Sequence, residues 1–71
     1  MENTIHIGDL IREQLKQQQR TEAWLARQID HDCSNLNKQL DNYWLPTEML
    51  LQISNVLKFD FFVYYSAQVK L

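Results

Sequence analysis

The chain has one cysteine, Cys33, one glycine, Gly8, and one proline, Pro46. A lone cysteine excludes an intramolecular disulfide. Secreted mini-proteins of this size are usually disulfide-stapled, so the expected home is a reducing interior, the cytoplasm. So little glycine and proline argues against an all-β fold built on tight turns, and against collagen-like or low-complexity chain. No apolar run approaches the ~18 residues of a spanning helix, so no membrane partner is expected. The start, Met1-Glu2-Asn3-Thr4, lacks the basic and apolar parts of a secretion signal. Basic residues are also scarce: seven Lys and Arg stand against nine Asp and Glu, a net charge of −2. That balance gives no support to strong non-specific binding of nucleic acid.

What is present is 45% apolar residues in 71, enough for one small domain over residues 1–71. At this size a core supplies only about 3–5 kcal/mol, so a disulfide, a metal or a partner subunit is often added. Ile7, Leu10, Ile11 and Leu15 fall three and four apart, which predicts a helix over about 7–18. Asp9, Arg12, Glu13 and Lys16 make its wet face. Thr21 is a good N-cap and Glu22 suits the first turn of a second helix, about 22–29, carrying Ala23, Leu25, Ala26 and Ile29. Asp30-His31-Asp32 reads as a turn. Asp32 then caps a third helix, Cys33 to about Asp41, on which only Leu36 and Leu40 are apolar. Pro46 suits the start of a fourth helix, about 47–57, with Met49, Leu50, Ile53, Val56 and Leu57 on one face. Asp60 caps a final aromatic helix, about 60–66.

The central pair carries the functional argument. A helix with Leu25-Ala26, a short turn and a second helix anchored by Leu36 make the helix-turn-helix layout. Ala26 must be small because the second helix crosses close above it. Ile29 and Leu36 fill the angle, and the second helix is free to push a polar face into a major groove.

Thr21-Glu22-Ala23-Trp24-Leu25-Ala26-Arg27-Gln28-Ile29, then Leu36, then Leu50-Leu51-Gln52-Ile53-Ser54 and Asp60-Phe61-Phe62, resemble the Cro/repressor-type (Xre-like, lambda-repressor-like) helix-turn-helix family. Ile7-Gly8-Asp9-Leu10-Ile11 is similar to that family's first helix. The resemblance covers residues 5–65. It implies an all-α, compact five-helix DNA-binding domain with a central helix-turn-helix at about 22–41. It also implies a transcriptional regulator, in the main a repressor, that binds double-stranded DNA sequence-specifically as a homodimer. On the same resemblance, Glu22 meets a phosphate, Cys33, Ser34, Asn37 and Lys38 meet bases or phosphates, and Asn42 lies near the backbone. Asp30 and Gln19 stand where the family usually has glycine. Gln39 replaces a commonly buried aliphatic residue, with Leu40 taking over its anchoring.

The chemistry of these side chains fits. Lys38 donates to guanine O6 or N7, Asn37 pairs with adenine, and Ser34 does either weakly. Arg12, Lys16 and Arg20, spaced by four, are candidates for phosphate contacts at the edge of the site. Residues 21–42 nevertheless hold two cations against four anions. The expected affinity is therefore modest and steeply salt-dependent, or dependent on a partner. The competing reading is a protein-interaction module on the same fold, which binds through Trp24, Trp44 and the acidic turn and has lost DNA affinity.

Other chemistries are weaker. Cys33 sits at a helix start, which favours thiolate, but Asp32 opposes it, so it is read as an incidental polar residue. His31-x-Cys33 has no second ligand pair, so no metal is expected. No nucleophile with a base, no Gly-rich phosphate loop and no carboxylate cluster is visible, so neither an enzyme nor a cofactor is expected. Trp24 reads as peripheral packing. Of Phe59, Phe61, Phe62, Tyr64 and Tyr65, two or three are expected in the core and the rest at a homodimer interface.

Overall fold

In the computed structural model, which describes residues 5–70, five α-helices follow one another and no strand occurs among these residues. The Met1–Thr4 start, read above for a secretion signal, lies outside the described residues. Helix α1 spans Ile7–Gln17, and Ile7, Ile11 and Leu15 bury its apolar stripe. His6 caps it: the ring Nδ1 accepts from the Asp9 amide at 3.2 Å. Helix α2 spans Glu22–Gln28, and the Thr21 hydroxyl accepts from the Trp24 amide at 3.0 Å, the cap expected from sequence.

Four residues, Ile29 to Asp32, join α2 to α3, which spans Cys33–Leu40. The Asp32 backbone is extended as a cap requires, but its side chain makes no capping hydrogen bond, contrary to expectation. Leu36 and Leu40 are fully buried and are α3's only core residues. Helix α4 spans Thr47–Leu57, with Pro46 just ahead of it and Met49, Leu50, Ile53 and Leu57 buried.

The C-terminal helix is shorter than its aromatic content suggests. Helix α5 is only Val63–Ser66, and Phe61 and Phe62 form a turn before it. The Asp60 carboxylate accepts from the Phe62 amide at 3.0 Å, so it caps that turn instead of α5. Of the aromatic residues only Phe61 is fully buried, not the two or three expected; Phe59, Phe62, Tyr64 and Tyr65 line the edge of the core. Burial also holds the Tyr65 phenol above the ordinary tyrosine pKa.

One core joins Ile7, Ile11, Leu15, Leu25, Ala26, Leu36, Leu40, Ile53 and Phe61. Helix α3 packs on both α1 and α2. The α1–α3 approach is set by Gly8. A Cβ there would lie 1.7 Å from the Leu40 carbonyl oxygen, so only hydrogen fits. The sole glycine is thus used inside a helix, for close contact. The helix ends do without it: Gln19, Asp30 and Lys58 adopt left-handed φ of 58°, 58° and 54° after α1, α2 and α4. No helix among the described residues is long and apolar enough to cross a membrane.

Candidate nucleic-acid interface

Leu36 and Leu40 recur every four residues, so α3 buries one narrow stripe and turns the rest outward. Cys33, Ser34, Asn37 and Lys38 are all exposed and line one shallow depression. The four α3 residues picked from sequence are therefore neighbours on one open face. Ala26, 1% exposed, lies in the core beside them, and its carbonyl accepts from the His31 amide at 2.8 Å to close the turn.

A hydrogen-bonded ring joins three helices behind that face. Glu22, at the start of α2, accepts from the Asn37 side-chain nitrogen at 2.9 Å through Oε1. Its Oε2 accepts from Arg12 Nε of α1 at 3.0 Å. The Arg12 Nη2 donates to the Asn37 backbone carbonyl at 3.2 Å and to Asp41 Oδ1 at 3.0 Å. Partial burial works against the Arg12 charge, but the bonds to Asp41 and Glu22 outweigh it, so Arg12 holds its proton more tightly than a free arginine. The Arg12–Glu22 pair is only partly buried and Asp41 is exposed, so solvent screening leaves each pair little more than about 1 kcal/mol. The ring's main effect is therefore geometric: it sets how α3 sits on α1 and α2.

Of the other candidates, Lys16 is exposed on α1, and Asn42 is exposed in the bend after α3, its amide donating to the Gln39 carbonyl at 3.1 Å. The Arg20 guanidinium lies over the Trp24 ring, 4.5 Å from its centroid, a cation–π contact. Trp24 itself is half-buried and packs against the core. The Arg12, Lys16 and Arg20 set is thus split: Arg12 is tied to two carboxylates, Arg20 rests on an indole, and Lys16 makes no ion pair among the described residues.

Sequence reasoning missed Asp41 as a second carboxylate on Arg12. It stands 29 positions from Arg12, and no local pattern links residues so far apart. With Arg12 drawn in, the region carries three cations against four anions. Among the described residues, no group of three His, Cys, Asp or Glu side chains is placed to hold a metal ion.

No family model matches the chain, and searches of curated proteins and of solved structures find no match.

Proposed function

We propose that the protein is a sequence-specific binder of double-stranded DNA, a small transcriptional regulator of the Cro/repressor type, acting in the cytoplasm. In this reading α2, the 29–32 turn and α3 form a helix-turn-helix, and α3 enters the major groove. One observation carries it: a short polar helix, held from behind by Leu36, Leu40 and the Arg12 ring, presents Cys33, Ser34, Asn37 and Lys38 on one open face. A stable helix whose outward side chains are base-reading types, on a rigid mount, is what direct readout requires. Lys38 forms no ion pair among the described residues and is available to guanine or phosphate. Lys16 lies on the adjoining helix as a phosphate contact.

Regulators of this kind work in pairs. We place the homodimer contact on the C-terminal aromatic segment. Trp44, 67% exposed, lines an apolar hollow with Leu45, Leu50, Phe62 and Tyr65. A dimer would set two α3 helices about 34 Å apart, one DNA turn, over a palindromic site. Light scattering at high concentration should give twice the 8.6 kDa chain mass; a monomer would remove this part of the proposal.

The second reading is a protein-interaction module on the same fold. It is favoured by the excess of anions around α3 and by the exposure of Tyr43 and Trp44. Lys38→Ala separates the two. With a selected DNA site, the variant should lose about 1–3 kcal/mol of binding if Lys38 reads a base. Binding of the same site unchanged in the variant would remove Lys38 as a base reader, and no DNA binding by the parent chain favours the protein module.

A further inference from the structure

We infer that Glu22 is an orienting residue for Asn37, and that the oriented Asn37 amide selects adenine at one position of each half-site. The inference rests on the DNA-binding reading above and deepens it.

The chemistry of the contact fixes the amide. A carboxylate accepts hydrogen bonds and cannot donate them. Glu22 Oε1 lies 2.9 Å from the Asn37 side-chain nitrogen, so the NH2 group must face it and the carbonyl oxygen must face away. Asn37 is held at a second point too, because its backbone carbonyl accepts from Arg12 Nη2 at 3.2 Å. Arg12 in turn bonds the other Glu22 oxygen at 3.0 Å. Side chain and main chain of Asn37 are therefore clamped by one closed circuit, although the residue is exposed.

One Asn37 N–H is engaged by Glu22. That leaves one acceptor, the amide oxygen, and one N–H donor. In the major groove adenine presents one donor, N6–H, beside one acceptor, N7. Guanine presents two acceptors, which a single donor cannot satisfy. Cytosine presents only a donor there, and thymine an acceptor with a methyl group. The remaining pair on Asn37 matches adenine. Because the rotamer is set before binding, little side-chain freedom is lost on contact. This gives Glu22 a task that a phosphate contact would not, and it explains a carboxylate at the edge of a DNA-facing surface.

The test is selection from a random DNA pool, followed by titration of each base at every position. The parent chain should prefer adenine at one position per half-site by about ten-fold. Asn37→Ala should abolish that preference and leave the other positions within about two-fold. Its backbone carbonyl stays bonded to Arg12, so this variant keeps the mount. Glu22→Ala should weaken the same preference selectively, and Glu22→Gln, which keeps one acceptor oxygen, should retain it. A structural role alone would lower affinity for all sequences equally; that result with the adenine preference intact overturns the inference. So does an Asn37→Ala variant with an unaltered base profile. Should Glu22→Ala fail to fold, Asn37→Ala and Glu22→Gln still decide the matter. A parent chain that selects no sequence overturns the DNA reading itself, a distinguishable outcome.

Discussion

Gly8→Ala should destabilise the protein more than any other single methyl addition. Alanine improves helix propensity by about 1 kcal/mol over glycine in a helix interior. Against that gain, the new Cβ would stand 1.7 Å from the Leu40 carbonyl oxygen, 2.5 Å from the carbonyl carbon and 2.9 Å from Cα. These are backbone atoms of α3, so no rotamer change relieves the overlap. Helix α1 must move away by roughly 1.5 Å or more to reach ordinary contact. Overpacking commonly costs 1–3 kcal/mol and sometimes more. The expected net loss is about 2–4 kcal/mol, most of what a core of this size supplies. Thermal unfolding followed by circular dichroism checks it; a melting temperature equal to or above the parent's contradicts the close packing. In the folded fraction, α1 would also draw Arg12 away from Asn37, so on the proposed function any DNA selectivity should fall with stability.

The second large effect is at Phe61. This ring is fully buried, stacks at a tilt on Phe59 with 4.8 Å between centroids, and its amide donates to the Ser54 hydroxyl at 3.4 Å. It is the one aromatic residue by which the C-terminal segment enters the core. Phe61→Ala should cost about 3–5 kcal/mol, the usual range for a buried ring. Two residues further on, Val63 is 49% exposed, and Val63→Ala should change stability by no more than about 0.5 kcal/mol. Urea titrations of the two variants make the comparison. Equal midpoints would mean that the segment is not anchored through Phe61.

The first four elements were legible because each carries an apolar stripe and short connections left few alternatives. Ile7, Ile11 and Leu15 set α1, and Met49, Leu50, Ile53 and Leu57 set α4, through spacing alone. The end of the chain read less well. A run of five aromatics within seven residues has no helical period, so spacing does not separate the turn at Phe61 and Phe62 from the helix that follows. At the candidate site, the outward face of α3 followed from its two leucines. The ring did not. Arg12 meets Glu22 across ten residues, Asn37 across twenty-five and Asp41 farther still, and such contacts exist only once the helices have packed. Read from spacing, Arg12 belonged with Lys16 and Arg20 as a phosphate contact. In the folded chain its hydrogen bonds turn inward. Gly8 was visible as a residue type, but its purpose depends on Leu40, thirty-two positions later.

The three left-handed residues Gln19, Asp30 and Lys58 leave the fold with unused headroom. A side chain with a Cβ is disfavoured in that conformation by roughly 1–2 kcal/mol, whereas glycine is not. Each of the three residues is exposed and lies outside the core. Robustness of this scaffold can therefore be raised in three independent steps at helix ends, which makes it tolerant of the cavity-forming or specificity-changing substitutions an engineer would want to introduce elsewhere.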